Sequence, residues 1–187
     1  MLTLQGRGVA NINFVSPSHV AAHVAEAIER ARTRGLSIPT VYNTGGYDSV
    51  ETLRELEGLI DIYMPDVKYS VGGAAKKLSG AENYPQVNRP AVKEMHRQVG
   101  DLEVEEGVAV KGLLVRHLVL PNRLAGSFET VDFLAEEVSI NTAINVMAQY
   151  RPCWHASLCK EVNRYPKAEE IAEVRQYAKE KNLKVLA

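Results

Sequence analysis

The sequence predicts an α/β fold in which parallel strands alternate with helices in an open barrel. Three observations carry this. β-like apolar runs alternate with stretches whose apolar residues recur at helical spacing. Each strand-like run leads into a polar loop containing glycine or proline. Chemistry-bearing side chains gather at those strand ends: Ser16 and Ser18, Asn43 and Thr44, Asp66 and Lys68, Arg116 and His117, Gln149 and Tyr150. Strand–helix alternation favours parallel strands joined by right-handed crossovers. Polar residues converging from C-terminal strand ends are how an α/β barrel builds a site. A flat doubly wound sheet has the same rhythm and stays open at this stage.

The elements follow in order. Residues 11–15 read as a short strand, after which Ser16 can cap a helix that has Pro17 in its first turn. Val20, Ala21, Val24, Ala27, Ile28 and Ala31 form an apolar stripe over 19–34, and Gly35 is a natural stop. Residues 38–42 form the next strand and 43–46 a loop. Asp48 followed by Glu51 resembles a capping box opening a helix from Ser49 to Gly58. A third strand spans 59–64 and ends at Asp66 and Lys68. Helices are expected over 73–79 and 90–99. The long β-like run 108–120 pairs in part with 102–104 as a hairpin turning at Gly107. A helix over 128–138, a fifth strand over 143–150 and a terminal helix from Pro166 or Lys167 complete the chain.

Composition bounds the function. The length of 187 residues suits one domain spanning 1–187. A net charge of −1 gives no electrostatic footprint for nucleic acid or an anionic membrane. No apolar run approaches the ~20 residues of a membrane span, and no secretory leader pattern is present. The two cysteines, Cys153 and Cys159, outline no disulfide framework, so a reducing, cytoplasmic setting is expected.

The strand ends offer particular chemistry. Glycines after Asn43 and Thr44 let the backbone approach a ligand, and Asn43 supplies both a donor and an acceptor; an ordinary turn explains the same residues. Asp66 and Lys68, two apart, can point to one side, the carboxylate toward a ribose hydroxyl and the ammonium toward a carboxylate; a rim ion pair is the plainer account. Arg116 and His117 are neighbours in a strand, so one faces the interior and the other the helices. Cys153, His155 and Cys159 lack the spacing of a structural zinc site, so no metal site is expected in this chain.

Five ordered segments resemble the radical S-adenosylmethionine superfamily, and within it the group related to pyruvate formate-lyase-activating enzyme. They are Asn-Ile-Asn-Phe-Val-Ser-Pro-Ser-His (11–19), Ile-Pro-Thr-Val-Tyr-Asn-Thr-Gly-Gly-Tyr (38–47), Ile-Tyr-Met-Pro-Asp-Val-Lys-Tyr (62–69), Leu-Leu-Val-Arg-His-Leu-Val-Leu-Pro (113–121) and Asn-Val-Met-Ala-Gln-Tyr-Arg-Pro-Cys (145–153). The resemblance implies a partial (β/α)6 barrel whose first strand leads into a Cys-x3-Cys-x2-Cys loop. In the full-length family those thiolates hold a 4Fe–4S cluster that reductively cleaves S-adenosylmethionine to a 5′-deoxyadenosyl radical; activating enzymes then generate a glycyl radical on a partner protein. By strand position, Ser16 and Ser18 fall near the methionine amino group, and Asn43 and Thr44 near its carboxylate or the ribose. Asp66 and Lys68 match an Asp-x-Lys pair, Arg116 or His117 belongs to the next strand, and Gln149 and Tyr150 fall near adenine.

The chain departs from that pattern at its start. No Cys-x3-Cys-x2-Cys occurs, and residues 1–5 resemble the end of the helix that follows the first strand. The expectation is a barrel missing its first strand and cluster loop, N-terminally truncated, with no cluster in this chain and no cleavage activity alone. The 11–15 strand then has an exposed edge, which predicts self-association. Two other functions compete: a non-catalytic barrel that binds a cofactor or a protein partner, such as a glycyl-radical enzyme, and a lyase using Lys68 as a Schiff-base nucleophile.

Overall fold

In the structure, a computed structural model describing residues 1–186, the elements match the predicted rhythm closely. Helix α1 (Leu2–Gln5) precedes strand β1 (Ile12–Val15). A 3-10 turn over Pro17–Val20 opens helix α2 (Ala21–Arg32), and β2 (Thr40–Thr44) and α3 (Val50–Glu55) lead to β3 (Ile62–Pro65). Helices α4 (Gly72–Ser79) and α5 (Tyr84–Val99) precede β4 (Glu103–Glu105) and β5 (Val108–Leu118). The chain ends with α6 (Ser127–Phe133), β6 (Ala143–Met147), α7 (Ala168–Glu180) and β7 (Lys184–Leu186). The strand order is β1-β2-β3-β5-β6-β7, with β4 paired antiparallel to β5. Pairs β1·β2, β2·β3, β3·β5 and β6·β7 are parallel. The order has two ends, so the parallel α/β sheet is open.

Contacts divide the chain into two compact units, residues 1–65 with 87–114 and residues 66–86 with 115–187; β5 runs through both. In the first unit, α2 buries Ala21, Val24, Ile28 and Ala31, the predicted stripe. Parallel register sets Val15, Asn43 and Met64 in one row and Phe14, Tyr42 and Tyr63 in the next, on the opposite face. The Tyr63 hydroxyl donates to Gln98 Oε1 at 2.7 Å, and Gln98 Nε2 donates to the Leu53 carbonyl at 2.8 Å, tying β3 and α3 to α5. Gly112 is required where it stands: its φ is 111°, and a Cβ there would lie 2.2 Å from the Asp101 carbonyl oxygen.

Several local expectations are corrected. Ser16 caps nothing: it is left-handed (φ 54°) with no side-chain cap bond. Asp48 is not the cap of α3 either. Ser49 is, accepting from the Thr52 amide at 3.1 Å, because the Asp48 carboxylate is drawn inward to two hydroxyls. Helix α5 begins six residues before Pro90, as the buried set Asn88, Ala91, Val92, Met95 and Val99 outweighs one missing N–H. Strand β6 stops at Met147, leaving Gln149 and Tyr150 in the loop beyond it. The 128–138 helix is α only to Phe133 and continues as a π turn over Leu134–Val138.

The loop after β2 is locked by hydrogen bonds. Thr44 Oγ1 donates to Asp48 Oδ2 at 2.5 Å and accepts from the Gly46 amide at 3.1 Å. The Tyr42 hydroxyl donates to Asp48 Oδ1 at 3.0 Å, and Asn88 Nδ2 on α5 donates to the Gly46 carbonyl at 2.8 Å. Burial, with the Asp48 charge adding to it, pushes the Tyr42 phenol well above its usual range, so it stays a donor. Asp48→Ala removes the carboxylate acceptor of two buried hydroxyls and is expected to destabilise the protein by about 2–4 kcal/mol in urea unfolding. Asp48→Asn, which keeps one acceptor, is expected to lose less; equal stability of Asp48→Ala and the parent protein would show that the network contributes nothing.

Candidate functional site

The site is built at the strand ends of the second unit. Asp66 follows β3 and forms a parallel bridge with Arg116 of β5. Two residues per pleat then put Arg116 on the same face as Asp66 and turn His117 to the other. Arg116 Nη2 lies 2.7 Å from Asp66 Oδ1, and Lys68 Nζ closes on Asp66 Oδ2. The Tyr84 hydroxyl fixes the strand end: it donates to the Asp66 carbonyl at 2.9 Å and accepts from the Lys68 amide at 3.0 Å. Among the described residues, the buried Nε of Arg116 has no hydrogen-bond partner.

These groups line a cavity of about 460 Å³. Asp66, Lys68, Arg116 and Arg151 supply charge, Gln149 an amide, and Leu118, Leu120, Met147 and Tyr150 an apolar wall. Its size falls within the ~300–1,000 Å³ typical of small-ligand sites. Three cations against one carboxylate favour a ligand carrying an anionic group. Lys68 is ion-paired and its side chain is 43% exposed, which is not the desolvated amine a Schiff-base nucleophile needs.

The predicted residues separate into three groups. Asp66, Lys68, Gln149 and Tyr150 line the cavity together; the Tyr150 hydroxyl donates to the Val162 carbonyl at 2.8 Å, so its ring faces the cavity. His117 does not line it. The imidazole is buried behind the strand, with Nδ1 2.7 Å from the Val67 carbonyl oxygen and Nε2 2.8 Å from Ser127 Oγ. Ser16, Ser18, Asn43 and Thr44 belong to the first unit. There Ser18 Oγ lies 3.2 Å from Thr44 Oγ1, whose hydroxyl is already committed to Asp48, while the Asn43 side chain makes no hydrogen bond among the described residues. Sequence reading left Arg116 and His117 as alternatives and missed Arg151, Leu118, Leu120 and Met147. The alternation Arg116, Leu118, Leu120 was the available signal.

Cys153 and Cys159 are free thiols, and the described residues contain no group of three His, Cys, Asp or Glu able to hold a metal ion. The described residues also form no helix long and apolar enough to cross a membrane.

Fold and site together define a parallel α/β protein with a ligand-sized cavity of charged and apolar side chains at its strand ends. Among solved structures, a domain of pyruvate-formate lyase-activating enzyme from Bacteroides vulgatus has this fold. Its TM-score is 0.60 at 14% identity, over 94% of this chain and 96% of that one. No family model matches the sequence. An uncharacterized protein of Methanocaldococcus jannaschii is 30% identical over 177 residues, which cover 94% of this chain and 48% of the relative. The chain thus spans about half the length of that curated relative.

The buried imidazole gives a pH prediction. Desolvation lowers its pKa to about 4, with the Val67 hydrogen bond opposing the shift. An unfolded histidine titrates near ~6.5. The folded state therefore favours the neutral ring, and this contribution is complete above pH ~6.5 and lost as pH falls toward 4. Between pH 7 and 4.5 the parent protein is expected to lose roughly 2–3 kcal/mol more than His117→Gln in urea unfolding. Parallel losses in the two proteins would mean that His117 is not held neutral.

Proposed function

We propose that this chain is the S-adenosylmethionine-binding barrel of a radical enzyme related to pyruvate formate-lyase-activating enzyme. The observation that carries the reading is the strand-end cavity, where an Asp-x-Lys pair, a strand arginine and an apolar wall meet. The matching fold of an activating-enzyme domain and the five ordered sequence segments support it.

The cavity residues fit that cofactor. Asp66 can accept from an amino group or ribose hydroxyls and offset a sulfonium charge. Lys68 can hold a carboxylate, and the buried Arg116 Nε lacks a hydrogen-bond partner that a ligand acceptor would supply. Gln149 offers a donor and an acceptor to an adenine edge, and Leu118, Leu120 and Met147 an apolar surface to its face. Arg116 positions Asp66, and Asp66 in turn orients Lys68. When bound, S-adenosylmethionine supplies radical chemistry through reductive cleavage by a 4Fe–4S cluster. Two thiols with five residues between them do not fit that cluster, so the residues of this chain bind and orient the cofactor but do not reduce it.

Calorimetry tests the reading. S-Adenosylmethionine is expected to bind with one site per chain, and Lys68→Ala to weaken binding about tenfold or more with an unchanged thermal midpoint. Absence of binding at millimolar cofactor would remove the proposal. A protein partner or a second copy is also part of it. Strand β1 pairs only with β2 among the described residues, and Val15 on it is 69% exposed. Such an edge recruits strands. Light scattering over a dilution series is expected to show a dimer; a monomer at every concentration would remove the edge as a self-association surface.

A further inference from the structure

A second cavity of about 270 Å³ lies in the same unit and shares Tyr69, Leu120, Tyr150 and Cys153 with the first. The two therefore open onto common walls, and their chemistry differs. The Tyr69 hydroxyl lies 2.7 Å from Ser79 Oγ, and the Tyr150 hydroxyl donates to the Val162 carbonyl. Both phenols have their oxygens committed elsewhere and present ring carbon to the space between them. The polar groups at the rim are satisfied by one another. Lys77 Nζ donates to Glu161 Oε1 at 2.7 Å, and Cys159 Sγ lies 3.2 Å from Glu161 Oε2. The Lys77 charge is thus neutralised by Glu161. The remaining wall comes from Leu78, Ala156 and Val162 and from His155, whose ring stands edge-on to Trp154 at 5.0 Å between centroids.

Trp154 stands on this rim under two costs. It is 89% exposed, so a large indole surface faces water. It is also left-handed at φ 53°, a conformation that bulky residues rarely adopt. A ring inserted between Trp154 and the two tyrosines would cover that surface by edge and face packing. An apolar cavity of about 150 Å³ suffices for benzene, so this one has room for a ring with a short substituent.

We propose that this second cavity binds the aromatic ring of a small-molecule substrate, between Tyr69, Tyr150 and Trp154, beside the cofactor cavity. The substrate role rests on the cofactor reading above; ring binding does not.

Trp154 is the single tryptophan of the chain, so its fluorescence reports the rim directly. The probe is benzyl alcohol, which is neutral and aromatic, with tert-butanol as the non-planar control, excitation being at the red edge of the indole band. Benzyl alcohol is expected to give a saturable blue shift in the millimolar range and tert-butanol none. Ala156→Phe, which fills the cavity from a half-buried position, is expected to abolish the shift with an unchanged far-ultraviolet circular dichroism spectrum. If Ala156→Phe does not fold, saturation-transfer NMR on the parent protein decides, with transfer to the ring protons expected and its absence overturning the proposal. A linear, non-saturating response, or an equal response to tert-butanol, overturns it as well. S-Adenosylmethionine calorimetry on the same sample separates the two readings. Ring binding without cofactor binding removes the cofactor assignment alone, and cofactor binding without a saturable ring response removes this one alone.

Discussion

The strand ends of the second unit take their geometry from one buried imidazole. His117 reaches the Val67 carbonyl in the loop after β3 and Ser127 at the start of α6. A carbonyl only accepts, so Nδ1 carries the proton and Nε2 accepts from the serine hydroxyl. One neutral ring thus satisfies two groups that would otherwise be buried without partners, an arrangement whose loss leaves each at a cost of about 1–3 kcal/mol. Because side chains alternate along a strand, fixing His117 behind β5 fixes Arg116 and Leu118 in front. Arg116 then meets Asp66, and Asp66 meets Lys68. The charge pattern of the cavity follows from the placement of an uncharged residue that does not touch it.

Much of the fold was legible because period is a physical property of sequence. The stripe of α2, the strand runs and the hairpin of β4 and β5 all appear where apolar spacing puts them. What escaped reading were competitions between local and tertiary demands. Ser16 and Asp48 look like caps in isolation. The Asp48 carboxylate, however, gains two buried hydroxyl donors by turning inward, which leaves Ser49 to cap α3. Pro90 reads as a boundary, yet the helix runs through it because five buried side chains lie on one face. Strand β7 has only three residues, too few to show a period, and is defined by its pairing with β6.

At the site, sequence located the strand ends but not the side-chain directions. Arg116 and His117 are adjacent and both plausible as ligand groups; only the opposite parity of neighbouring strand residues, anchored by contacts distant in sequence, separates them. The same filter applies within the first unit. Thr44 and Asn43 differ by one residue, and the hydroxyl of Thr44 belongs to the loop network while the Asn43 amide stays without a hydrogen bond among the described residues. A residue type marks a possible ligand group. Whether its polar atoms remain available depends on what the fold has already asked of them.

That distinction also orders the two cavities of the second unit. In the first, Asp66 and Lys68 form an ion pair that a ligand can enter: part of the lysine is exposed, so exchanging one partner for a ligand carboxylate changes little solvation. In the second, Lys77, Glu161 and Cys159 satisfy one another and the tyrosine oxygens are bound elsewhere, which leaves aromatic and aliphatic carbon with the His155 ring. A cavity with an excess of cationic groups and one whose lysine is neutralised, sharing Tyr69 and Tyr150, suit a pair of ligands of unlike chemistry. The shared rings are the surface across which the two would touch. For any reaction between the two ligands that contact would matter more than either affinity, since the reacting carbon must sit within van der Waals reach of the atom that attacks it.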